Sequence, residues 1–199
     1  DELAQQLRGL ARDQLPRKEE ELRVVIQQVT KGLNAPFTSS TGRILDAISA
    51  MLGVCSQRLY EGEPAIKLEA YANKGEPNPD IKFTVPMTDE HGTLVIETGE
   101  LLLQVWNQRQ RFKGPDVALA VHHALGEALA AAALAISREE RLRKVGFTGG
   151  VAYNYILRQS IRRTVERNGL QFIEHSRLPP GDGAISAGQA LVARAELAS

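Results

Sequence analysis

The apolar and polar positions divide the chain into three stretches of different rhythm. Residues 1–35 form a helical lead-in rich in Leu, Gln, Arg and Glu, which reads as two helices broken near Pro16. The second runs through "RKEEELRVVIQQVTK" and stops at Gly32. After the loop "NAPFTSSTG" (34–42), Ile44, Ile48, Met51 and Leu52 form the apolar stripe of a helix over 42–54. "YEGEPA" (60–65) is a turn leading into a short helix through Ala72, and "GEPNPD" (75–80) breaks the pattern. "IKFTVPMT" and "TLVIET", separated by "DEHG", read as a hairpin whose first strand lies at an edge or ends at Pro86. Two helices follow, over 98–112 and 115–137, the second alanine-rich.

The last third changes period. Strand "KVGFTGG", helix "NYILRQSIRRTVERNG", strand "LQFIEH", loop "SRLPPGDG" and helix "AISAGQALVARAEL" make a βαβα unit with neighbouring parallel strands. The fold class is therefore α/β, with 1–199 read as one domain. Composition changes this picture little. Hydrophobic residues are 43% and charged residues 24%, which is ordinary for a globular chain. The 24 basic and 24 acidic residues cancel, which argues against bulk capture of nucleic acid or an anionic membrane. No apolar run approaches the roughly 20 residues of a membrane span. The one cysteine, Cys55, permits no internal disulfide, reads as an inert thiol and fits a reducing, cytoplasmic setting. The chain opens on Asp1 rather than Met, so a piece of a longer protein is expected.

Four stretches could carry chemistry. In "GFTGGVAYN" (146–154), Gly149 and Gly150 let backbone approach a ligand, and the helix start offers unpaired N–H groups to an anion. The same pair also suits a tight strand-to-helix turn. Asn154 reads as an N-cap or as an amide that hydrogen-bonds a ligand. In "SSTGRILDAISAMLGV", Gly42, Asp46 and Ser49 fall at i, i+4 and i+7, on the face away from the apolar stripe. That face is either solvated, with Asp46 favoured by the helix dipole, or a place where the carboxylate accepts two ribose hydroxyls. In "YEGEPA", Gly62 supplies a turn conformation, and Glu61 and Glu63 read by default as surface acids. In "LPPGDG", Asp182 stands between Gly181 and Gly183 before a helix, as an N-cap, a metal ligand, or both. His122 and His123 are adjacent and cannot form an i, i+4 metal pair; one reads as packed and one as exposed. Arg158, Arg162 and Arg163 read as a solvated basic face.

In order, "TSSTGRILDAISAMLGV", "YEGEPAIKLEA", "GFTGGVAYNYILR" and "LPPGDGAISAGQAL" resemble the C-terminal part of the HypF family, the carbamoyltransferases of nickel–iron hydrogenase maturation. The resemblance covers roughly residues 36 to 193. It implies one lobe of an actin/sugar-kinase/Hsp70-like (RNase H-like) nucleotide-binding fold. Asp46 would accept the ribose hydroxyls, and Gly149, Gly150 and Asn154 would line the adenosine pocket. Gly42 would leave room for the ligand, Gly62 and Glu63 would form a nucleotide-contacting turn, and Asp182 would ligate a divalent metal facing the phosphates of ATP. The family forms carbamoyl-adenylate from ATP and carbamoyl phosphate, and passes the carbamoyl group to the C-terminal cysteine of the partner HypE. The family's histidine pair, phosphate loop and other domains are not in this sequence, so the remaining metal ligands and the missing lobe are expected outside it and the fragment would be inactive alone. Two alternatives stand beside this reading: a tRNA threonylcarbamoyladenosine transferase-like enzyme, against which "YEGEPA" and the neutral charge count, and a non-catalytic partner-docking module.

Overall fold

The computed structural model describes residues 2–197. They fall into two compact units, residues 1–43 and 44–199. The first unit holds α1 (Glu2–Gln14) and α2 (Lys18–Lys31), which pack on each other and bury Leu22. α2 ends as its sequence directs, with Gly32 in the left-handed conformation at φ 67°.

The second unit is helix-rich α/β, in the order α3 (Thr41–Met51, beginning at the boundary), α4 (Glu63–Ala72), β1 (Met87–Glu90), β2 (Thr93–Ile96), α5 (Thr98–Gln108), α6 (Gly114–Glu139), β3 (Lys144–Gly146), α7 (Tyr155–Arg167), β4 (Gln171–Ile173) and α8 (Ile185–Leu197). Its main core joins Leu45 and Ile48 of α3, Leu68 of α4, Leu101 and Val105 of α5, Val117, Val121 and Leu125 of α6, and Ile156 and Leu157 of α7. A smaller cluster of Ala130, Ile161 and Val165 lies under the β3–β4 pair, with Val145, Phe147 and Phe172 packed on it.

β3 and β4 are parallel, with Val145 opposite Phe172, as the βαβα pattern requires. The hairpin is shorter than its apolar pattern suggests. β1 begins only at Met87, the turn is the two residues His91 and Gly92 (φ 55° and 84°), and Asp89 and Glu90 belong to the strand. Residues 81–84, expected in the strand, are instead held by α5 side chains. Gln104 exchanges bonds of 2.8 and 2.7 Å with the Thr84 backbone, and Gln108 donates to Lys82 O at 3.1 Å. Those amides take the backbone groups that a strand partner would have used.

Three further expectations change. α6 runs 26 residues, and by length and composition alone it could cross a membrane. Here its Val117, Ala118, Val121, His122, Leu125 and Gly126 are buried in the fold. His122 is buried and His123 only half-buried. Arg158 and Arg162 do not form a solvated face, because both reach Glu174, at 3.5 and 2.5 Å.

Candidate functional site

β3 delivers the chain to Thr148 and Gly149, and a 3-10 turn at Gly150–Tyr153 leads to α7. Gly149 takes φ 94° and ψ 176°, a region open essentially to glycine alone. Its N–H donates to Pro180 O at 2.8 Å, and the Thr148 hydroxyl donates to the same carbonyl at 3.1 Å. Pro180 lies two residues before Asp182, so the two glycine-bearing loops are joined. Gly149 and Gly150 are exposed beside that junction.

Asn154 is the N-cap of α7: its Oδ1 accepts from Leu157 N at 2.9 Å, and the side chain is buried. The next two helix-start donors are taken by a residue that the sequence did not single out. Glu69 Oε1, from α4, accepts from Tyr155 N at 2.5 Å and from Ile156 N at 3.3 Å. Of the two readings of this stretch, the tight strand-to-helix turn with Asn154 as its N-cap is the one seen at the start of α7, and the open anion site is not, since side chains satisfy the N–H groups of residues 155–157. Gly149 itself is engaged on both sides, its N–H by Pro180 O and its carbonyl by Ala152 N at 3.0 Å, so what remains for a ligand is close approach to the exposed Gly149–Gly150 surface and the amide Nδ2 of Asn154. Glu69 gave no signal because its partners are 86 and 87 residues away.

Asp182 does not cap α8. It opens a 3-10 turn, Asp182–Ala184, after Gly181, and α8 starts at Ile185. The geometry explains the departure: the turn places the carboxylate ahead of the first α-helical residue. Asp182 is exposed, and among the described residues no hydrogen bond or ion pair engages its carboxylate. It fits the role of one ligand to a cation. Among the described residues no group of three or more His, Cys, Asp or Glu converges to hold a metal.

Gly62 sits at the start of α4 in the left-handed conformation, φ 75°. Glu63 is not a surface acid, being only 3% exposed. Its carboxylate accepts from Leu59 N at 2.5 Å and pairs with Lys67 Nζ at 2.7 Å. The Lys67 hydrogen bond, then the Leu59 N–H, hold its pKa below the ordinary glutamate value. Glu63 is thus spent on its own turn. On α3, Gly42 and Asp46 are half-buried, while Ser49 is fully buried, so of the two alternatives for this face the fully solvated one does not hold. Asp46 lies in the second turn, beyond the strongest pull of the helix dipole. Cys55 is half-buried, and its Sγ lies 3.0 Å from Gln57 O.

The structure therefore joins the loop of Gly149 and Gly150 to the loop of Asp182 at Pro180, with Asn154 capping the helix that follows the first loop. Asp46 lies on α3, and Gly62 and Glu63 cap and open α4; Leu45, Ile48 and Leu68 of these helices share one core with Ile156 and Leu157 of α7. A cavity of about 610 Å³ between residues 77–84 and α6, lined by Lys82, Asp116, His123 and Glu127 among others, contains none of these residues.

This helix-rich α/β unit, with its two joined glycine loops, is a Kae1-like domain. The chain belongs to that family, its residues 2–189 matching the family described as carbamoyltransferase, Kae1-like domain, second subdomain. Its relatives include several HypF proteins. The chain is 42% identical over 175 residues to the probable carbamoyltransferase HypF of Methanocaldococcus jannaschii, covering 86% of this chain and 22% of that protein. It superposes on the crystal structure of T. kodakarensis HypF with a TM-score of 0.80 at 38% identity, covering 92% of this chain and 23% of that one. On a full-length HypF structure in phosphate- and nucleotide-bound form the TM-score is 0.81 at 25% identity, covering 96% of this chain and 25% of that one. A tRNA N6-adenosine threonylcarbamoyltransferase of Thermotoga neapolitana is 28% identical over 70% of this chain and 41% of its own length. The chain thus spans a quarter or less of the length of these three HypF proteins.

Proposed function

We propose that this chain is the nucleotide-handling subdomain of a HypF-type carbamoyltransferase. The observation that carries this reading is the junction at Pro180, which ties the Gly149–Gly150 loop to the loop that bears Asp182 two residues further on. Such an arrangement suits a nucleotide whose adenosine lies on glycine backbone and whose phosphates reach toward an acid through a cation. Asn154 Nδ2 is available to donate to the adenosine, and Asp46 accepts the ribose hydroxyls. Gly42 and Gly62 leave backbone room beside them. Glu63 serves as the keystone of its turn.

A divalent cation, when bound, neutralises phosphate charge, and this chain supplies Asp182 as one of its ligands. In the parent protein, hydrolysis of carbamoyl phosphate releases inorganic phosphate and carbamate, and the carbamate oxygen then attacks the α-phosphorus of ATP to give carbamoyl-adenylate with release of pyrophosphate. The carbamoyl group then passes to the C-terminal cysteine of a HypE-type acceptor. The higher identity to HypF proteins favours this branch over threonylcarbamoyl transfer to tRNA.

The test is Asp182→Ala in the full-length protein. Carbamoyl-phosphate-dependent ATP–pyrophosphate exchange is expected to fall to background while the thermal unfolding midpoint stays put. Wild-type exchange in that variant overturns the reading.

A further inference from the structure

We propose that Thr148, held by His175, is a positioning residue that sets the place of Asp182. The inference rests on the nucleotide-site reading above and gives that site a support the resemblance does not supply.

The chain between β4 and the 3-10 turn at Asp182 is a loop with little to hold it. From 176 to 181 its residues are exposed or half-buried, and none enters either apolar cluster. Burial therefore cannot fix its position. Among the described residues, the cross-loop hydrogen bonds to residues 176–181 end on one atom, Pro180 O, which accepts from Gly149 N at 2.8 Å and from Thr148 Oγ1 at 3.1 Å.

The Thr148 hydroxyl has one proton, and it goes to Pro180. Its oxygen is then left to accept, and His175 Nε2 lies 2.9 Å away. The imidazole accordingly carries its proton on Nε2 and donates. The result is a directed chain, His175 Nε2–H to Thr148 Oγ1–H to Pro180 O, in which each bond polarises the next. His175 is itself tethered, because the adjacent Glu174 is gripped by Arg162 and Arg158 of α7.

From the other side, the Tyr153 ring lies against Gly181. A Cβ added at Gly181 would stand 2.8 Å from Tyr153 Cε2. Aromatic packing and the hydrogen-bond chain thus fix the two residues immediately preceding Asp182. A catalytic group displaced by about 1 Å can lose of order 100-fold in rate, so this anchorage should be visible in turnover.

Two substitutions of Thr148 separate the hydroxyl from its methyl group. Thr148→Val keeps the shape and removes the hydroxyl, whereas Thr148→Ser does the reverse. In the full-length protein, Thr148→Val is expected to lower kcat for ATP–pyrophosphate exchange about tenfold. KM for ATP and the unfolding midpoint should stay close to wild type, and Thr148→Ser should restore most of the rate. His175→Gln, which keeps an N–H donor, should exceed His175→Leu in the same assay. A role in packing alone predicts the opposite order, with Val better tolerated than Ser. An inactive Asp182→Ala beside a fully active Thr148→Val overturns this inference alone. A fully active Asp182→Ala overturns the nucleotide-site reading and, with it, the task assigned to Thr148.

Discussion

Glu63 and His122 are buried ionisable groups that meet burial in opposite ways. Glu63 keeps its charge because Lys67 and the Leu59 N–H compensate it, and its pKa lies below 4.5. His122 gives its charge up: burial pushes its pKa below 6.5, Nδ1 donates to Ala118 O at 2.7 Å, and Nε2 is buried without a partner. Acid should therefore destabilise the fold in two steps. Below pH 6.5 the unfolded chain takes up a proton on His122 before the folded one does, so stability falls as pH drops toward the folded value. Below pH 4.5 the same holds for Glu63: its contribution is complete above the unfolded pKa and fades as pH drops through the lower folded one. Urea midpoints measured from pH 8 to 3 should show both losses, with Glu63→Gln flattening the lower one and leaving the upper one intact. A midpoint constant between pH 7 and 5 would contradict the reading of His122.

Among the elements, α6 and α7 make the most extensive contact between helices, and a glycine lets them approach. A Cβ added at Gly126 would lie 2.7 Å from Ser160 Cβ and 3.3 Å from Leu157 O, atoms too close to the backbone to swing aside. Ser160 in turn donates to His123 O at 3.1 Å, pinning the crossing. Gly126→Ala gains about 1 kcal/mol of helix propensity. The overpacking it causes costs about 1–3 kcal/mol, because the helices must part. Net destabilisation is expected in chemical unfolding, with partial recovery in Gly126→Ala/Ser160→Gly; a stabilised single variant would refute the packing argument. α8 presents the contrary case. None of its described residues is buried, and Ile185, Leu191, Val192 and Leu197 are exposed.

Over the whole molecule, that apolar helix sits on a chain of zero formal charge, so no net repulsion opposes association. Light scattering of the 199-residue chain should show most association near pH 7 and dispersal as pH moves away in either direction; indifference to pH would exclude the charge explanation. The sequence by itself determined the elements, since their signals are local: Gly32 ends a helix, apolar periodicity sets α3, and the strand–helix–strand rhythm gives the parallel pair β3–β4. It also determined the family, because four short motifs in fixed order are specific together. It identified Gly149, Asn154 and Asp182 as singular positions, but left their partners blank. Only the tertiary structure decided that Glu69 closes the start of α7, that Glu63 is buried in its own turn, and that Pro180 joins the two glycine loops. Those outcomes depend on carboxylates and carbonyls meeting donors brought near by packing, across as many as 87 residues, and no periodicity along the chain encodes such a meeting.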